Sequence, residues 1–377
     1  MIYLDGNSLG RLPAHTAQRL QAVIQHEWGE GLIQSWNLAG WLDAPLRIGD
    51  KIARLINAPL GSVWVGDSTS INLFKLLSAA LKLRPDRKVI LTEADNFPTD
   101  LYIAQGVAAW LGVTVQAVPS DQIHAHLNDN VAVLMLSQVN YRTGAMHDLP
   151  QVTQAAQQAG ALVLWDLAHS AGAVDVDISS ADLAVGCGYK YLNGGPGAPS
   201  FAYVHPQHLA DLQHPLTGWL GHARPFAFEG DFEPAADITR LQVGTPAILG
   251  LAALEAGVDE FLDQNMQALR QKSLQLTEAF MQGVQQMQGL PFEIVTPQTA
   301  QRGSQVCLRH EHAYPICQAL IAYGVVGDFR APDILRFGFA PLCNTLEEVA
   351  AALKILADVW ESGVWRQGQF QVRKAVT

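Results

Sequence analysis

Two apolar runs, each leading to a charged residue, constrain this chain most. Ala161-Leu-Val-Leu-Trp165 has the length and composition of a buried parallel strand, and Asp166 stands at its carboxyl end. A second run, Leu183–Val185, leads to Lys190, 24 residues beyond Asp166, and then to the turn Leu192-Asn-Gly-Gly-Pro-Gly197. Strands apolar throughout, rather than alternating, belong to sheets covered on both faces. Around them the signals alternate. Strands are expected at Lys88–Thr92, Val113–Val118, Val131–Val139, Ala161–Asp166, Ala181–Gly188 and Ser200–His205, with helices at Ile71–Leu83, Thr99–Leu111 and Leu149–Gln158. This pattern predicts an α/β fold with a mostly parallel sheet flanked by helices.

Outside that region the texture differs. Leu20, Ile24 and Trp28 recur at helical spacing, predicting a helix over 14–28, and 29–41 reads as a loop rich in Trp and Gly. After Pro246 a long helical pattern runs from Ile248 to about Met287, followed by short strands near Phe292–Val295 and Gln305–Arg309. We therefore expect a large domain over 30–247 and a smaller α+β domain built from 1–29 and 248–377. A chain of 377 residues can fill both cores.

Several classes are disfavoured. The net charge is −11, and there is no basic block or basic-aromatic interleaving, which argues against nucleic acid or an anionic membrane as partner. No run approaches the ~18–20 apolar residues of a membrane span, and the first residues lack the pattern of a signal peptide. Cys187, Cys307, Cys317 and Cys343 are scattered, as expected for reduced thiols of a cytoplasmic enzyme. The pairs His124/His126 and His310/His312 have no third ligand at a recognisable spacing, so no metal is expected.

Ligands of open α/β sheets bind outside the carboxyl ends of the strands. An acid and a lysine delivered there on two strands suit pyridoxal phosphate: the lysine holds the aldehyde and the acid pairs with the pyridinium nitrogen. The alternative is a surface lysine beside a capping aspartate. Gly66-Asp-Ser-Thr-Ser70 before a helix reads either as a phosphate cradle or as an ordinary N-cap, and Tyr189 could add a hydroxyl. Phe97, after a strand, either stacks on a flat ring or packs in the core. His169 either orients a ligand or fills the core. Arg336, in the apolar segment Ile334–Phe339, meets either a substrate carboxylate or a structural acid.

Four motifs then carry a resemblance. Tyr3-Leu-Asp-Gly-Asn-Ser-Leu-Gly10, Asp166-Leu-Ala-His169, Tyr189-Lys-Tyr-Leu-Asn-Gly-Gly-Pro-Gly197 and Gly218-Trp-Leu-Gly-His222 resemble the kynureninase family, over residues 3 to about 345. The resemblance implies a fold-type I pyridoxal phosphate enzyme of tryptophan catabolism (the kynurenine pathway, toward NAD biosynthesis). Its substrate would be L-kynurenine, or 3-hydroxykynurenine, split to anthranilate or 3-hydroxyanthranilate and L-alanine. It implies Lys190 as cofactor lysine and general base, and Asp166 at the pyridine nitrogen. Thr69, Ser70 and Tyr189 would sit at the phosphate, with Tyr189 also a candidate proton shuttle. Phe97, Pro98, Thr99 and Asp100 would pack on and hydrogen-bond the cofactor, with Ser137 and His169 nearby. It further implies a homodimer with a shared active site that Trp219 and Thr245 reach from the second subunit, and Arg336 as binder of the substrate carboxylate. Some members carry Asn where this chain has Thr245, which favours kynurenine over its 3-hydroxy form. Two other readings stay open. One is a related lyase such as a cysteine desulfurase, for which Cys343 is the candidate nucleophile; the other is a non-catalytic regulator on the same fold.

Overall fold

The computed structural model describes residues 1–287, 289 and 291–374, so the last three residues of the expected small domain lie outside the described residues. Among the described residues, seven strands form the larger sheet: β1 (Val63–Val65), β2 (Val89–Glu93), β3 (Thr114–Val118), β4 (Val131–Ser137), β5 (Leu162–Asp166), β6 (Leu183–Cys187) and β7 (Ser200–Val204). Their order is β3-β2-β4-β5-β6-β7-β1. From β3 to β6 all neighbours are parallel; β7 runs against β6 and β1. The expected α/β fold with a mostly parallel sheet is therefore present, each of the six expected strands ending within one or two residues of expectation.

Strand periodicity sorts the core into two layers. Leu162 and Leu164 of β5 pack with Leu73, Leu76 and Leu77 of the helix Thr69–Leu83 and with Ala104 and Val107 of Pro98–Leu111. Val163 and Trp165 face the other way, onto Val152 and Ala156 of Leu149–Gln158 and onto Ile48 and Ile52 of Ala44–Leu55. Every residue of β4, β5, β6 and β7 is buried. The chain order turns back between β2 and β4, and that switch opens a crevice at the strand ends.

Four expectations need correction. Segment 29–41 is not a loop. The helix Thr16–Ala22 widens into π-type turns over Val23–Glu30, followed by Leu32–Gln34 and Ser35–Leu38, with Trp41 Nε1 donating to Glu27 Oε2 at 2.7 Å. The helix Ala44–Leu55 and strand β1 were not foreseen. The pattern from Ile248 to Met287 is two helices, Ile248–Leu262 and Met266–Gln286, because Asn265 caps the second by accepting from Ala268 N–H at 3.0 Å. The domain boundary also shifts. Leu251, Leu254, Val258 and Phe261 belong to the large-domain core, and the changeover falls within Met266–Gln286, whose Leu276, Phe280 and Val284 enter the small core.

The small sheet is antiparallel: Asp328–Arg330, Ile334–Gly338, Gln305–Arg309 and Glu293–Ile294, in that order. Ile2–Tyr3 pairs with Val325–Val326, so the opening motif is tied to the small domain. No described helix is long and apolar enough to cross a membrane.

Candidate active site

The crevice collects side chains from four strand ends. Asp166 closes β5, 6% exposed, its Oδ1 accepting from Ala168 N–H at 2.7 Å. Lys190 follows β6 on the turn ending in Asn193, which adopts φ +57. Its Nζ lies 3.0 Å from His169 Nε2, and His169 Nδ1 lies 3.1 Å from Gln305 Oε1. The opening motif holds this turn: Gly10 N–H donates to Tyr189 O at 2.8 Å, and a Cβ at Gly10 would lie 2.2 Å from Lys190 O. Only glycine allows that approach.

Phe97 and Asp100 arrive from the loop and helix after β2. The Phe97 ring is 39% exposed rather than packed in the core. It meets Tyr141 edge-on at 5.3 Å, and Lys190 Nζ lies 5.9 Å from its centroid. Pro98 starts the helix Pro98–Leu111, where its missing N–H costs nothing. Thr99, Asp100 and Ser137 line one cavity of about 260 Å³ with Asp166, His169 and Lys190. Ser137 Oγ donates to Asn96 Oδ1 at 2.7 Å.

An adjoining cavity of about 630 Å³ shares Thr69, Ser70 and Tyr189 with the first. Asp67, at φ +52, turns the chain into the helix Thr69–Leu83, whose N-cap Ser68 accepts from Ile71 N–H at 3.4 Å. The first turn's other N–H groups lack intrahelical partners, and Ser68, Thr69 and Ser70 line the cavity, which suits an anion. Beneath it Lys75 is fully buried, donating to Asp67 Oδ2 at 2.5 Å and Leu241 O at 2.6 Å. Thr245 lines this cavity in its own chain.

The electrostatics favour a further cation. Burial first, then the Asp166 charge, pushes the Asp100 carboxyl well up; burial also raises Asp166, which Lys190 and Ala168 N–H pull back. Asp100 Oδ2 is buried without a hydrogen-bond partner. Two buried acids thus face one ammonium, and a protonated pyridine nitrogen against Asp166 would supply the missing positive charge. Donors for a phosphate, an open aromatic face and a lysine adjoin it, so these residues fit pyridoxal phosphate.

Arg336 is 1% exposed and its fork is engaged. Nε and Nη2 donate to Asp328 at 2.8 and 2.5 Å, Nη1 to Tyr141 O at 2.7 Å, and Nη2 also to Ser8 Oγ at 2.9 Å. Arg330 shares Asp328 at 2.6 Å with its side chain 36% exposed. Arg336 therefore has the structural acid that sequence reading left as an alternative. Gln305, Asp328, Arg330 and Lys75 went unnoticed in the sequence. Trp219, 44% exposed, lies outside both cavities, stacked on Phe228 and edge-on to Phe226. His310 and His312 pack among Phe292, Trp360 and Trp365.

Comparison with known proteins bears on the family and the fold. The kynureninase C-terminal domain family matches residues 269–356. Kynureninases from Burkholderia pseudomallei (strain 1106a) and Pseudomonas fluorescens are each 51% identical over an alignment 389 positions long, covering 100% of this chain and 93% of theirs. Among solved structures, a cysteine desulfurase from Thermococcus onnurineus NA1 superposes with TM-score 0.81 at 17% identity, over 96% of this chain and 95% of that one. A C-DES variant with glycine covalently linked to its PLP cofactor gives 0.79 at 21% identity, over 95% and 96%. Likenesses so low in identity carry the fold alone. With half its residues shared along the whole chain, this protein belongs to the kynureninase family.

Proposed function

We propose that the chain hydrolyses L-kynurenine at its Cβ–Cγ bond, releasing anthranilate and L-alanine, and accepts 3-hydroxykynurenine less well. The observation that carries this is the convergence of Lys190, Asp166 and the Thr69–Ser70 cradle on adjoining cavities, in a chain half identical to kynureninases. Pyridoxal phosphate, when bound, supplies the electron sink that stabilises amino-acid carbanions. Lys190 holds it and afterwards moves the substrate α-proton at Nζ; such transfers contribute ~10²–10⁴-fold. Asp166 keeps the pyridine nitrogen protonated, and Asp100 supports it. Thr69, Ser70, Thr245 and Tyr189 take the phosphate, Phe97 and Pro98 cover the ring, and Thr99, Ser137 and His169 orient it. The substrate carboxylate would fall to Arg336, whose fork must then exchange partners with Asp328, Ser8 and Tyr141 O, or to the more exposed Arg330 beside it.

We further infer a cytoplasmic homodimer. The exposed aromatic group Trp219, Phe226 and Phe228 supports it, with Trp219 offered to the partner's site. A desulfurase reading finds little support. The Cys343 thiol is pushed up by burial, whereas a nucleophilic thiolate needs the opposite. Purified protein with pyridoxal phosphate should release fluorescent anthranilate and alanine in equal amounts from L-kynurenine. Sulfide from cysteine, with no anthranilate, would overturn the assignment.

A further inference from the structure

Gln305 reaches the Lys190 crevice from the small domain, and nothing in the proposed chemistry calls for an amide there. It lies on the strand Gln305–Arg309, is 1% exposed, and spends every polar atom of its side chain internally. Its Nε2 donates to the carbonyls of Asn140 at 3.2 Å and Tyr141 at 3.0 Å. Those two acceptors fix which end of the amide is which: turned over, an oxygen would face two carbonyl oxygens with no proton between them. Oε1 is therefore the atom 3.1 Å from His169 Nδ1. An amide oxygen can only accept, so Nδ1 carries the proton. A neutral imidazole has one N–H, which leaves Nε2 bare and facing Lys190 Nζ at 3.0 Å. His169 is 7% exposed; burial, then the charges of Lys190, Arg336 and Arg330, hold it well below the usual histidine range and hence neutral.

We propose that Gln305 is a positioning residue that holds His169 as the Nδ1–H tautomer, so that Nε2 stays a proton acceptor for the Lys190 amine. The amide acts across the domain boundary: His169, Lys190, Asn140 and Tyr141 come from the large domain and Gln305 from the small one. Nε2 then orients Nζ and receives its N–H while Lys190 moves the α-proton. Gln305 touches no reacting atom itself. The same network gives the opposite tautomer no place, since an Nε2–H imidazole would set a proton against the ammonium and a bare nitrogen against the amide oxygen.

The inference rests on Lys190 being the cofactor lysine, so its first readout needs neither substrate nor turnover. Holoenzyme labelled with ¹⁵N-histidine is read by proton–nitrogen correlation, the His169 signals being identified by their loss in His169→Gln. Nδ1 should show a directly bonded proton and a pyrrole-type shift, and Nε2 a pyridine-type shift. Gln305→Met, similar in length but without an acceptor oxygen, should move those signals toward the Nε2–H form. It should also lower kcat by roughly 3–10-fold, the rate equivalent of one lost orienting hydrogen bond, with KM for kynurenine little changed. A protonated Nε2 in the wild-type holoenzyme, or an unmoved tautomer in Gln305→Met, would overturn the inference. Should the tautomer be as stated and kynurenine not be turned over, only the activity assignment fails.

Discussion

Replacing Asp328 by asparagine tests how the small domain holds its arginines. Asp328 and Arg336 are 2% and 1% exposed, and the carboxylate accepts two bonds from Arg336, one from Ser8 Oγ at 2.7 Å and one from Arg330. Removing one partner of a buried ion pair typically costs about 3–5 kcal/mol, because the other charge stays buried and unpaired. Asp5 moderates this. Its carboxyl is pushed up to about 7, first by burial and then by the Asp328 charge, while Ser8, Arg336 and Arg330 pull it down. With Asp328 neutral, that repulsion goes and the arginines remain, so Asp5 ionises at neutral pH and takes over part of the pairing. Asp328→Asn should therefore lose about 3 kcal/mol, the lower end of the range. Asp5→Asn with Asp328→Asn should lose more than the two single changes together, by about 1 kcal/mol or more. Urea unfolding at pH 7 reads this, at fixed protein and cofactor concentrations because both shift apparent stability. A single variant within about 0.5 kcal/mol of wild type, or strict additivity, would refute the reasoning.

Asp5 also sets a pH dependence. Its folded value, about 7 against the ordinary 3.8, exceeds the unfolded one, so its contribution is complete below pH ~4 and is lost as pH rises through ~7. At about 1.4 kcal/mol per pH unit this is worth up to ~4 kcal/mol, and a slope that survives Asp5→Asn would assign it elsewhere. Asp166→Asn should lose about 2–5 kcal/mol of transition-state stabilisation in a cofactor-saturated enzyme; near-normal kcat would place control of the cofactor's electronics elsewhere. Lys75→Met should weaken pyridoxal phosphate binding at least about tenfold, because Asp67 is left uncompensated beside the cradle, and adding Asp67→Asn should restore it. Equal dissociation constants for all three proteins would disconnect the pair from the phosphate.

The sheet was legible because strands buried on both faces leave unbroken apolar runs, as in β4 and β5. Helix Leu149–Gln158 was legible to the residue, since Asp148 caps it and Pro150 sits in its first turn. Helix Ala44–Leu55 was not, because Pro45 and Gly49 lower the helical signal of the segment. Pro45 lies in the first turn, where it is harmless, and a Cβ at Gly49 would come 2.1 Å from Val63 O, so the glycine serves packing against β1. The Asp263-Gln-Asn265 break within Ile248–Met287 carried a capping signal that the strong helical pattern overrode. In the site, Asp166, Lys190 and the Ser68–Ser70 turn were legible because strand ends and helix starts are local features. Gln305, Asp328 and Arg330 were not: they act on residues more than a hundred positions away, or through a short strand whose own pattern is silent. Only the fold joins them to His169 and Ser8.

The central claim is that Lys190, opposite Asp166, carries the cofactor. Borohydride reduction of the holoenzyme, followed by proteolysis and mass mapping, tests it most directly. The account predicts a single pyridoxyl label on Lys190, absent in Lys190→Ala, which should still retain some pyridoxal phosphate through the Thr69–Ser70 cradle. A label on Lys51, Lys75, Lys82 or Lys88, with Lys190 unmodified, would contradict it.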